Sequence, residues 1–131
     1  MLIEASFSGV TGRIIGAAIE VHRTLGPGLL ESTYRSCLHY ELAARRLRFV
    51  AERTIPIVYK GASLETGYRV DLVVEDLVVV ELKSIATLTA VHEAQVLTYL
   101  RLTGCPAGLL INFNVVKLVD GVQRVVDKKA L

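Results

Sequence analysis

The stretch YRVDLVVEDLVVVELKS, residues 68–84, decides how the chain is read. It divides into two short β-branched runs, 68–74 and 77–83, separated by the acidic pair Glu75-Asp76. That is the pattern of two strands joined by a turn. Into these apolar runs the sequence places Asp71, Glu81 and Lys83. A charged side chain seldom enters a core unless it is paired or holds a metal, because stripping its water is costly. Side chains alternate along a strand, so Glu81 and Lys83 share one face while Leu82 points to the other. Two carboxylates and an ammonium gathered at one place can bind a hard divalent cation and activate a water.

The turn decides whether Asp71 joins that face. A two-residue loop at Glu75-Asp76 would set Asp71 opposite Val80 and turn Glu81 away. A three-residue loop or a bulge sets Asp71 opposite Glu81 and makes the carboxylates cofacial. The second arrangement is the one expected. An E-x-K tripeptide alone is a weak signal, since a strand often ends in a solvated Glu and Lys. Asp71, one strand earlier, raises its weight.

Upstream, Ile14, Ile15, Ala18, Ile19, Val21 and Leu25 follow helical spacing and predict a helix from Thr11 or Gly12 to Leu25. Gly26-Pro27-Gly28 stops it, and residues 1–10 are expected to be a weakly ordered lead-in. A second helix is expected over about 29–46, with Leu30, Tyr34, Cys37, Leu38 and Leu42 as its buried stripe. Glu31 falls in its first turn, where the helix dipole favours a carboxylate. A helix packed on the sheet would also let Glu31 reach a metal site. Residues 49–59 read as the first strand, Pro56 implying an edge or a bulge, and Lys60-Gly61-Ala62 as a turn.

Downstream, Thr89 is the expected N-cap of a third helix ending at Gly104, with Val96, Leu97 and Leu100 facing inward. Gln95 and Tyr99 lie four apart on one face of it. Spacing favours an amphipathic boundary; a supporting pair beside the metal site is the alternative. His92 and Glu93 are expected to be solvated, with no role. Residues 108–113 suit a central buried strand. Asp120-Gly121 signals a hairpin between 115–119 and 122–126, and 127–131 reads as a tail. The order of elements is that of one α/β domain over residues 1–131, a mixed sheet flanked by helices.

Composition sets the bounds. The chain has 131 residues, enough for a sizeable core in one domain. It is 52% hydrophobic, yet no apolar run approaches the roughly 18–20 residues of a membrane span. The excess is expected to serve a tight core and a homodimer interface. Net charge is +2, too mild to demand a nucleic-acid partner. The densest basic cluster, Arg45, Arg46, Arg48 and Arg53, reads as a solvated helix end, with phosphate contact as the alternative; Lys128 and Lys129 lie at the tail. Cys37 and Cys105 have neither metal-ligand spacing nor a disulfide framework. The first residues lack the basic and long apolar segments of a signal peptide, so a cytoplasmic location is expected.

Gly28, Glu31 and Tyr34 in GLLESTY form the G-x-x-E-x-x-Y signature for which the GxxExxY proteins are named. The flanking AIEVHRTLGPG, the YRVDLVVEDLVVVELKS block, the Gln95 to Tyr99 segment and GLLINF also resemble that family, from about Gly12 to Val126. The family is placed in the PD-(D/E)XK nuclease-like superfamily. The resemblance therefore implies a restriction-endonuclease-like core, α-β-β-β-α-β. It likens Asp71 to the acid of the second core strand, and Glu81 with Lys83 to the E-x-K. Glu31 is similar to the helical acid many members add, and Gln95 and Tyr99 to the Q-x-x-x-Y of the exonuclease-type branch. Val70 stands where the superfamily's proline would be.

The activity this implies is metal-assisted hydrolysis of phosphodiester bonds, with DNA as the expected partner and RNA not excluded. Asp71, Glu81 and the Leu82 carbonyl would hold magnesium or manganese, with Glu31 reaching it directly or through water. Lys83 would orient or deprotonate the attacking water and stabilise charge on the phosphate. Gln95 would position a metal-bound water, and Tyr99 would contact a phosphate or base. The rival expectation is a binding module for nucleic acid or protein that keeps the fold without catalysis. A third is a nuclease module that works inside a larger complex.

Overall fold

The computed structural model describes residues 2–127, with side chains from Ser8 onward. Five strands, β1 (Phe49–Tyr59), β2 (Ala62–Val74), β3 (Val78–Lys83), β4 (Ala107–Asn112) and β5 (Val122–Val126), form one sheet in the order β1-β2-β3-β4-β5. β3 and β4 run parallel and the other neighbours antiparallel, so the sheet is mixed as expected. Helices α1 (Leu2–Leu25) and α2 (Glu31–Ala44) cover one face, and α3 (Ala90–Thr103) covers the other. This is the α/β, restriction-endonuclease-like architecture.

Alternation builds the two cores. Val78, Val80 and Leu82 of β3 pack with Ile14, Ala18, Tyr34, Leu38 and Leu42 beneath α1 and α2. Val79 of β3 and Leu110 of β4 pack with Val96, Tyr99 and Leu100 beneath α3. Strands covered on both faces read as unbroken apolar runs. No described helix is long and apolar enough to cross a membrane.

The turn within residues 68–84 is the three-residue loop. Val74 pairs with Val78, and the Leu77 amide donates to the Val74 carbonyl at 3.0 Å. Glu75 and Asp76 take φ of 54° and 55°, a left-handed conformation that aspartate tolerates better than glutamate. The Glu75 carboxylate accepts the Arg48 amide at 2.6 Å, which holds its pKa below the usual range.

Four expectations are corrected. The first helix starts at Leu2, through the stretch read as a lead-in. Ser6, Gly9 and Gly12 weaken helix propensity, but no proline interrupts them, and Val10 is drawn in by the core. Leu30 is 74% exposed because α2 starts one residue later, leaving Leu30 as its N-cap. His92 has a role after all, since its Nδ1 accepts the Thr89 amide at 2.9 Å and caps α3. Residues 115–119 are not a strand. The chain leaves β4 through a loop with buried Phe113 and Leu118, turns in a short 3₁₀ helix at Leu118–Gly121, and returns as β5 beside β4. Of the expected tail, Asp127 is buried and the rest lies outside the described residues.

Gly121 explains why Asp120-Gly121 looks like a turn signal without being a hairpin. A Cβ there would overlap the Asn112 carbonyl oxygen, so the glycine allows a close backbone approach. Gly121→Ala is expected to cost about 1–3 kcal/mol. A urea midpoint equal to that of the wild type would show that the loop yields without strain.

Candidate functional site

Asp71 escapes the regular ladder on both sides. Between β1 and β2, Ala51 pairs with Leu72 and Arg53 with Val70, and the ladder skips Glu52 and Asp71. Glu52 has φ 54°, so β1 kinks where Asp71 passes. Between β2 and β3, pairing stops at Leu72–Val80, and the same register leaves Asp71 opposite Glu81. The side chains replace the missing backbone bonds. The Asp71 amide donates to Glu81 Oε1 at 3.1 Å, and the Leu82 amide donates to Asp71 Oδ2 at 2.9 Å. Each carboxylate is thus held by an N–H of the opposite strand, a reciprocal lock that sets them side by side.

Burial makes Glu81 costly to ionise. Glu81 is 3% exposed, and its pKa is pushed up to about 8. Loss of water is the main cause, followed by the Asp71 charge; the Asp71 amide and Lys83 pull the other way. Two carboxylates at such a site accept a cation far more readily than they accept joint ionisation. Hard oxygen donors of this kind suit a divalent cation.

Lys83 lies two residues beyond Glu81, on the same face of β3 by alternation. The chain around it is tied down tightly. The Lys83 carbonyl accepts the Phe113 amide at 2.9 Å, and Ser84 Oγ donates to the Leu29 carbonyl at 2.6 Å. Buried Asn112 clamps the next residue from both sides, accepting the Ile85 amide at 3.1 Å and donating to its carbonyl at 2.9 Å.

From α3, Tyr99 reaches the same neighbourhood. It is buried, its hydroxyl accepts Gln95 Nε2 at 3.0 Å, and its ring meets Tyr68 edge-on at 6.0 Å. Its pKa is raised by burial and then by the charge of Glu81, with Asp71 adding to it. The four-residue spacing thus yields a hydrogen-bonded pair on one face of α3.

Glu31 stands apart from this group. It pairs with Arg35 one turn along α2, and Arg35 Nη2 lies 3.7 Å from Asp71 Oδ1. Among the described residues, no three His, Cys, Asp or Glu side chains converge as a ready metal cage. Motif reasoning misses Arg35 and His39. His39 stacks on Phe49 at 5.2 Å, and burial, then Arg35, lowers its pKa. The signal for both is the spacing Glu31, Arg35, His39, one side chain per turn along one face of α2.

Two of the four arginines in the basic cluster pair with internal acids. Arg45 pairs with Glu41 at 3.4 Å and Arg48 with Glu75 at 3.4 Å. Such exposed pairs contribute little to stability.

Comparison with known proteins adds one match. A family model for the PD-(D/E)XK nuclease superfamily matches residues 8–125, which span α1 to β5 and include every residue of the site. No curated protein and no solved structure matches the chain. With a matched region of that extent over a mixed sheet flanked by helices, the chain belongs to the PD-(D/E)XK nuclease superfamily.

Proposed function

We propose that this protein is a metal-dependent nuclease of the GxxExxY type that hydrolyses phosphodiester bonds of DNA. The observation that carries the reading is the locked pair of half-buried Asp71 and buried Glu81, with Lys83 next along the same face. Asp71, Glu81 and the Leu82 carbonyl would hold magnesium or manganese, with Glu31 as a further donor. A bound ion would polarise the phosphodiester and supply a water acidic enough to attack near neutral pH.

The remaining chemistry belongs to the chain. Lys83 Nζ orients the attacking water and donates to the phosphate oxygen that gains charge. Gln95 and Tyr99 act as one hydrogen-bonded unit beside the carboxylates, Gln95 positioning water and Tyr99 meeting a phosphate or base. The Asn112 clamp and the Ser84 hydroxyl hold the backbone that carries Lys83, which limits the freedom of its side chain.

Manganese titration followed by calorimetry is the first test. The wild type is expected to bind, and Asp71→Asn and Glu81→Gln are expected to abolish binding with the fold intact. Cleavage of a DNA panel, single- and double-stranded, with Lys83→Ala as control, then follows; an RNA panel sets the substrate. A wild type that binds no manganese, even with a short duplex present, would sink this reading.

The second reading is a binding module without catalysis. It is favoured by Glu31, whose carboxylate is engaged by Arg35 and does not join the other two acids. Retention of DNA without cleavage, unchanged in Lys83→Ala, is its signature. Self-association fits either reading. Val58, Tyr59 and Leu64 stand exposed where β1 and β2 extend beyond β3, and sedimentation of the purified chain tests whether they bury against a second copy. A cytoplasmic location suits both free cysteines.

A further inference from the structure

Three polar residues, Glu31, Arg35 and His39, follow one another along α2, and the nuclease reading uses only the first. Arg35 stands between acids from two different elements. Its Nη2 pairs with Glu31 Oε2 and lies 3.7 Å from Asp71 Oδ1. The side chain keeps 20% of its surface exposed, yet Nε is buried and has no hydrogen-bond partner among the described residues.

That combination is informative. A buried donor without an acceptor raises the energy of the pose that buries it. Turned out into solvent, Nε would recover water. The guanidinium therefore holds its inward pose by attraction to Glu31 and Asp71, against the preference of its own Nε. Between Glu31 and Asp71 it already occupies the position of a cation. It also explains why the three acids do not converge, because Glu31 is satisfied by Arg35.

We propose, resting on the reading of Asp71 and Glu81 as a divalent-cation site, that Arg35 is the resident counter-cation of that site. In the ion-free protein it neutralises Asp71 and Glu31, and it must swing away from them before a divalent ion is held. A guanidinium and a divalent cation compete for the same oxygens and repel each other at such distances. Arg35 is a positioning residue here: it sets the state of the acids and takes no part in bond breaking.

The experiment is manganese titration of the wild type, Arg35→Met and Arg35→Lys by calorimetry, with thermal unfolding of each in chelator at pH 8. Arg35→Met is expected to bind manganese at least about tenfold more tightly and to unfold at lower temperature without ions. Arg35→Lys keeps a charge but loses the planar fork, and is expected to fall between the two. A residue serving the fold alone would lower the unfolding temperature without tightening manganese binding, and that result overturns the assignment. Equal or weaker binding by Arg35→Met overturns it too. No binding by the wild type or either variant overturns the cation-site reading itself, and this assignment with it. If Arg35→Met does not fold, Arg35→Lys decides, and an affinity equal to that of the wild type overturns the proposal.

Discussion

Glu81→Gln is expected to make the ion-free fold more stable at pH 9 and to leave its stability nearly unchanged near pH 4. In the unfolded chain Glu81 ionises near its ordinary value of 4.5, whereas in the fold it keeps its proton to about pH 8. Between those values the native state binds more protons than the unfolded state, so the wild type loses stability as pH rises through that window. Below it both states are protonated and the loss is absent. Glutamine does not titrate there, and its amide oxygen can still accept the Asp71 amide.

A tenfold change in proton affinity corresponds to about 1.4 kcal/mol. Relaxation around the ionised pair takes part of the full linkage value, leaving an expected gain of about 2–3 kcal/mol at pH 9. Urea unfolding of both proteins at pH 4, 6 and 9 in chelator measures it. Profiles that run parallel across the range would mean that Glu81 ionises in the fold as it does in water. Adding manganese at pH 8 is expected to reverse the order, stabilising the wild type by mass action and leaving the variant unmoved. Stability gained by removing a site residue is the usual trade between fold and function.

Tyr34→Ala is expected to cost about 4 kcal/mol, the range for losing a large buried ring. Tyr34 is fully buried and stacks on Phe113 at 4.5 Å with the rings 8° apart. Its hydroxyl donates to the Gly26 carbonyl at 2.5 Å and accepts the Leu29 amide at 3.1 Å, closing the turn between α1 and α2. The same Leu29 accepts the Ser84 hydroxyl, so the turn also steadies the end of β3. The tyrosine of G-x-x-E-x-x-Y is thus a latch that couples the helix turn to the strand carrying Lys83. Tyr34→Phe keeps the ring and removes the latch, at about 1–2 kcal/mol. A Tyr34→Phe midpoint indistinguishable from that of the wild type would show that the bridge contributes no net stability.

Features that depend on neighbours in sequence are legible from composition and periodicity. β1 spans the residues that its composition marks, with Pro56 on an edge strand beside a register shift. Thr89 and Gly104 bound α3 as their capping chemistry requires, Gly104 in the left-handed conformation. The two-residue period of a strand is enough to place Glu81 and Lys83 on one face. Local signals mislead where packing overrides them. Asp120-Gly121 has hairpin composition, but buried Leu118 and the close approach to Asn112 fold it into a 3₁₀ turn. Leu30 has the spacing of a core residue, but the helix starts after it.

Periodicity and turn chemistry suffice for the element order as far as β4, the apolar central strands and the three charged positions within them. They cannot supply what happens between strands that meet only in space. The kink at Glu52 and the skipped ladder at Asp71 arise from the fit of three strands, and they free the Asp71 amide to bind Glu81. The raised Glu81 pKa follows from burial beneath α3, which no single strand specifies. Arg35 reaches Asp71 because α2 packs across the sheet, bringing a residue from one helix within 3.7 Å of an acid far along the chain. Local sequence selects conformations through short-range sterics and hydrogen bonds, whereas desolvation and charge pairing depend on which surfaces finally meet.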